Sequence, residues 1–190
     1  MPVGDCERAF GVAARRDGLQ LIPGYVPGVT NRGHLDVPST APAAKALQRI
    51  FDRLAGDEKE LALARGTSLP ADFLSEDAHV VIEIDEQQHF TSDRLLTLQH
   101  YPPDVGVAFS VKEFITLCEV LKAGSDRYRA SKEALGFRRP GGRRAQRAYF
   151  DAVRDLAAPL SGWRVFRVAA AHGDGQRAYN EVRSRLRAQL

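Results

Sequence analysis

Three acids in the stretch "ADFLSEDAHVVIEIDEQQHF" (residues 71–90) have the types and spacing for joint chemistry: Asp72, then Glu83 eleven residues later, then Asp85. Side chains alternate along a strand, so Glu83 and Asp85 share one face while Ile82 and Ile84 share the other. If the strand carrying Asp72 pairs with this one through a turn at 74–78, Asp72 lies near Glu83 and three carboxylates converge at a sheet edge. Bare carboxylates crowded in this way raise one another's pKa. A hard divalent cation relieves the crowding, and Mg²⁺ (or Mn²⁺) binds through a few carboxylates while keeping several waters. Such an ion can activate a water and neutralise charge on a phosphodiester. The metal-ligand candidates are therefore Asp72, Glu83 and Asp85. For Glu83 the alternative is an ion pair with one of the chain's 22 arginines, because an unpaired acid in so apolar a run is costly.

Gln88 and His89 follow directly. His89 can act as a proton shuttle or phosphate contact, or can simply make a structural hydrogen bond. Gln88 would support the site or touch nucleic acid. Asp72, Glu83, Asp85, His89 and Gln88 together form the candidate catalytic set.

The elements that must position these residues can be read from patterning. The runs "LALAR", "LPADFL" and "HVVIEID" are expected to be strands of an antiparallel meander. The segment 21–42, with four prolines among glycines and other turn formers, reads as a long loop. A short helix is expected over 5–17, and another capped by Ser39 or Thr40 and running to about Leu54. A third starts at Thr91 or Ser92 and runs to about His100. The capping-box pattern "SVKE" (110–113) opens a fourth, to about Leu121. Irregular chain at 123–142 leads to a long helix over about 143–160. A strand "WRVFRVA" (163–169) and a final amphipathic helix carrying Ala178, Val182 and Leu186 complete the order. The fold class this implies is α/β, a mixed central sheet flanked by helices. The 190 residues fit one domain, its core over about 43–190.

The net charge of +3 conceals two opposed segments. Asp52 to Asp93 holds eleven acids against three bases, and Lys122 to Arg147 holds nine bases against two acids. One segment suits cations and the other polyanions. Arg138, Arg139, Arg143, Arg144 and Arg147 are the candidate nucleic-acid contacts. The last three fall at a helix N-terminus, where cations oppose the macrodipole and phosphate contact explains them better than local structure. No apolar run approaches the length of a membrane span. The N-terminal residues lack the basic and apolar regions of a signal peptide, so a cytoplasmic location is expected. Cys6 and Cys118 lack metal-type spacing and are expected as reduced, partly buried thiols. The sequence fixes no oligomeric state and is compatible with a homodimer.

The order Asp72, then Glu83-x-Asp85 on a strand, then Gln88-His89 resembles the PD-(D/E)XK nuclease superfamily, and within it the branch near very-short-patch-repair endonucleases. That branch's core reads as an acid, "EID" and a nearby "QH", followed by a helix and a "GW-V-R" strand similar to 147–169 here. The resemblance covers about Pro70 to Ala169. It implies a restriction-endonuclease-like core and Mg²⁺-dependent cleavage of DNA. Two positions depart from the pattern. The motif reads "PAD" rather than "PD", and Asp85 stands where lysine is usual. The second departure leaves the general base and the transition-state cation unassigned. It also supports an alternative: a catalytically inactive module of the same fold that binds nucleic acid or a partner protein.

Overall fold

The computed structural model describes residues 4–190. Met1 to Val3, part of the stretch read for a leader, lie outside the described residues. Four strands form one mixed sheet in the order β1 (Ile22–Thr30), β2 (Ser68–Ser75), β3 (Val80–Glu86), β4 (Arg164–Ala170). The first three are antiparallel, and β4 runs parallel to β3. A parallel neighbour needs a long crossover, and all the chain from Gln87 to Trp163 supplies it. The expected α/β architecture, a mixed sheet between helices, is therefore the one observed.

The alternation read in the sequence sorts the two faces of β3. Val80, Ile82 and Ile84 bury against α1 (Asp5–Arg16) and α7 (Gly175–Arg187), which supply Phe10, Tyr179 and Val182. Val81 faces α2 (Pro42–Arg53) and α6 (Gly142–Ala157), in a core with Leu47, Phe51 and Tyr149. A third cluster, around Phe90, Leu98, Phe114 and Cys118, joins α4 (Ser92–Gln99) to α5 (Val111–Ser125). Thr91 caps α4 by accepting the Arg94 N–H, and Ser110 caps α5 by accepting the Glu113 N–H, as their sequence patterns require.

Several expectations are corrected. The segment 21–42 is not a loop: Ile22–Thr30 is an edge strand and Gly33–Asp36 a 3₁₀ turn. Pro23 and Pro27 fit an edge, where a strand can lack ladder donors, and Gly28 (φ 71°) sits within a register shift. The meander exists, but β1 is its first strand. "LALAR" instead belongs to the short helix α3 (Glu58–Leu61) and the turns after it, because Asp57 caps that helix by accepting the Lys59 and Glu60 N–H groups. Neither Ser39 nor Thr40 caps α2; Ala41 holds that position and Pro42 opens the helix. Helix α5 continues past Leu121 to Ser125. Both cysteines are buried free thiols. Among the described residues no helix is long and apolar enough to cross a membrane.

Candidate functional site

The C-terminal end of β3, the bulged end of β2 and one face of α6 enclose a pocket of about 330 Å³. Its walls carry Asp72, Glu83, His89 and Asp151 together with Arg143, Arg147 and Arg154. Each acid arrives by a different device. On β2, Leu74 pairs with Ile22 but Ala71 with Gly24, so three residues of β2 span two of β1 and the extra one lies at Asp72–Phe73. Such bulges re-aim side chains. Asp72 uses this freedom to accept the Ile84 N–H through Oδ2 at 2.6 Å, just beyond the last β2–β3 pair, Phe73 with Ile82. Asp72 and Glu83 thus meet on adjacent strands at one pocket, as the short turn between them required.

Glu83 is 5% exposed, and its Oε1 has no hydrogen-bond partner. Arg154 Nε lies 3.5 Å away, close enough for charge attraction, but it donates its hydrogen to the Pro70 carbonyl at 3.0 Å. Burial, only partly offset by Arg154, pushes the Glu83 carboxyl up to about 8. Burial also raises Asp72, opposed by the hydrogen bond from Ile84. A buried acid without a matching donor is an expensive feature to keep in a fold.

Asp85 sits in a different setting. Arg167, which pairs with Glu83 in the β3–β4 register, reaches across to Asp85 and donates from Nη1 to both of its oxygens at 3.0 and 2.9 Å. Nε of the same guanidinium reaches Asp155 at 2.8 Å, and Nη2 reaches the Asp151 carbonyl and Oδ1 at 3.3 and 3.4 Å. Asp155 also accepts from Arg94 and from the Tyr101 hydroxyl. His89 Nδ1 stands 3.1 Å from Asp85 and 3.3 Å from Asp151. Burial would raise Asp85 and Asp151, but Arg167 and His89 outweigh it and hold both carboxyls below their ordinary range. Burial would likewise depress His89, yet the two acids lift it to about 9. His89 therefore holds a proton between two carboxylates at neutral pH.

The ligand atoms of Asp85, His89 and Asp151 all lie within 4.8 Å of one another, a grouping able to hold a metal ion once His89 gives up its proton. The carboxylate oxygens suit Mg²⁺ or Mn²⁺, whereas the imidazole suits a softer ion such as Zn²⁺ or Fe²⁺. The unpartnered Glu83 Oε1 and Asp72 line the same pocket. A cation there would offset the burial cost of Glu83.

The five arginines expected to touch nucleic acid divide. Arg143 and Arg147 line the pocket, and Arg147 is anchored by the Gln88 carbonyl at 2.8 Å. Arg144 is held by Asp93 at 2.6 Å and by Asp126, tying the start of α6 to α4 and to the end of α5. That structural use is the correction to reading all three helix-start arginines as phosphate contacts: the local acids, not the macrodipole, decide Arg144. Arg138 pairs with Glu60, and Arg139 donates to the Leu54 carbonyl, both away from the pocket. Gln88 lines the pocket.

Sequence reading missed Asp151, Arg154 and Arg167. Two signals pointed to them: acids at 151 and 155 with an arginine at 154 on an otherwise apolar helix face, and an arginine inside the strand "VFRVA". Each places charge where a core residue belongs.

The model of a family of unknown function (DUF7255) matches residues 49–187. The chain belongs to this family. No curated protein and no solved structure matches it. The DUF7255 match spans Asp72, Glu83, Asp151 and every arginine of the pocket; of the pocket's carboxylates, Glu7 lies outside the match.

Proposed function

We propose that this DUF7255 member is a metal-dependent nuclease that hydrolyses DNA phosphodiester bonds in the cytoplasm. Asp72, Glu83 and Asp85 would hold Mg²⁺ or Mn²⁺, with Asp151 and His89 beside them. The observation that carries this reading is the unpartnered, buried Glu83 Oε1 in a pocket that is also lined by the guanidinium groups of Arg143, Arg147 and Arg154. Carboxylates alone suit a cation, and arginines alone suit an anion. Both in one cavity of about 330 Å³ suit a cation and a phosphate together.

The metal, when bound, would supply an activated water and neutralise charge on the phosphate. Arg154, lying between Glu83 and Asp151, supplies the cationic charge that lysine would bring at position 85 in the nuclease pattern. Protonated His89 gives its Nδ1–H to Asp85 and Asp151, which leaves Nε2–H as the pocket's candidate to protonate a leaving oxygen. Arg167 acts through its neighbours: its fork fixes Asp85, Asp151 and Asp155 in one arrangement. Arg143 and Arg147 would hold the backbone on either side of the scissile bond.

The test is cleavage of plasmid and of short single- and double-stranded DNA with Mg²⁺, Mn²⁺ or EDTA. Wild type should cut only with metal, and Glu83→Gln and Asp72→Asn should abolish cutting while leaving DNA binding in place. Equal activity of Glu83→Gln and wild type would sink the assignment. One observation favours the inactive module instead: Arg167, whose Nη1 serves both oxygens of Asp85, gives Asp85 a cation of the protein's own. Tight DNA binding without cutting in any metal selects that reading.

A further inference from the structure

Tyr128 follows α5 and is 39% exposed, outside all three hydrophobic clusters. Two guanidinium groups lie over its ring, Arg129 at 5.2 Å and Arg147 at 5.5 Å from the centroid. They are held differently. Both line the acidic pocket, but Arg147 is tethered to the Gln88 carbonyl, whereas Arg129 is exposed on a left-handed backbone (φ 52°). Tyr128 and Gln88 also border a second recess, of about 370 Å³, with Gln87, Gly124 and Arg127. The ring therefore stands between the carboxylate pocket and a recess that contains no acid.

We infer that the site takes an unpaired nucleotide, its base stacked on the Tyr128–arginine plates beside the recess and its phosphate turned towards Arg147 and the carboxylates. This deepens the nuclease reading and rests on it. In a duplex each base already covers its neighbours' faces, so an aromatic plate finds a partner only in single-stranded or splayed nucleic acid. Arginine over tyrosine adds cation–π attraction and a second flat surface for a base. Gln87 and Gln88 offer side-chain amide donors and acceptors to base edges. The recess can hold one base rather than a duplex stack.

The test is binding in EDTA, where no cutting intervenes, of a single-stranded DNA oligonucleotide containing 2-aminopurine, with the blunt duplex of the same length as comparison. The single strand should bind at least tenfold more tightly, and 2-aminopurine fluorescence should be quenched on binding. Tyr128→Leu should weaken single-strand binding roughly ten- to hundredfold and remove the quench. Tyr128→Trp should retain both, which separates loss of stacking from loss of fold. Equal affinity for duplex and single strand, with Tyr128→Leu indistinguishable from wild type, overturns the inference. If duplex cutting still depends on metal and Glu83 in that case, the nuclease reading survives it. Tyr128-dependent single-strand binding without cutting in any metal leaves the inference standing and removes the nuclease reading instead.

Discussion

Glu83 and Asp85 sit two residues apart on one strand face, yet their surroundings drive them in opposite directions. Glu83 is buried without a hydrogen-bond donor for Oε1, and burial lifts it to about 8; Asp85 is gripped by Arg167 and stays ionised. The pH consequence can be signed. A group whose folded pKa lies above its unfolded value stabilises the fold below the unfolded value, and that contribution is lost as pH rises through the folded one. In EDTA, Glu83 should therefore erode stability as pH rises from about 4.5 to about 8. His89 should do the same between 6.5 and about 9. Urea unfolding at pH 5 and pH 8 should show wild type losing stability and Glu83→Gln losing less. An identical loss in both would mean that Glu83 is not the buried acid described. Asp85→Asn tests the other member. It removes one charge of a fully buried pair and should cost about 3–5 kcal/mol, read by the same unfolding curves. A cost near zero would mean that Arg167 finds full compensation in Asp151 and Asp155.

At the scale of elements, α6 does most to assemble the pocket, since Arg143, Arg147, Asp151 and Arg154 all come from it. Its start is pressed against the preceding turn: a Cβ on Gly142 would lie 1.8 Å from the Phe137 carbonyl oxygen. Gly142→Ala should push the first turn of α6 away from that turn. The expected cost is about 1–3 kcal/mol, with weaker DNA binding through Arg143 and Arg147. A thermal midpoint equal to wild type would place the strain elsewhere. The helix itself was readable from its apolar spacing, as were β2, β3, β4 and the caps of α4 and α5, because each carries its pattern locally. β1 was hidden because prolines and glycines that signal a loop are also what an edge strand tolerates. Asp72 and Glu83 could be placed together from a short turn between two strands. Asp151 and Arg167 could not, because they lie 66 and 82 residues beyond Asp85 along the crossover and the strand it leads to, and no local pattern specifies which helix face returns to the sheet.

Across the whole molecule, the basic segment that balances the acidic one is not a uniform polyanion surface. Arg144 is consumed by Asp93 and Asp126, Arg138 pairs with Glu60, and Arg139 serves a backbone carbonyl. Only Arg143 and Arg147 among the five border the pocket. Each phosphate contact on a single strand contributes about 0.7 to the slope of log affinity against log salt. Arg143→Ala with Arg147→Ala should therefore flatten that slope by about 1.4 for single-stranded DNA, with a fall in affinity at low salt. Arg144→Ala should leave the slope unchanged and instead destabilise the junction of α4, α5 and α6 by about 1–3 kcal/mol, because it leaves partly buried Asp93 without its donor. Arg138→Ala should move neither quantity much, since its pair with Glu60 is exposed and contributes little. The deciding comparison is the Arg144 slope against that of the Arg143 and Arg147 pair. Equal flattening by both would mean that DNA runs along the whole start of α6 outside the pocket. Flattening by the pair alone means that charge meets phosphate at the mouth of the carboxylate site.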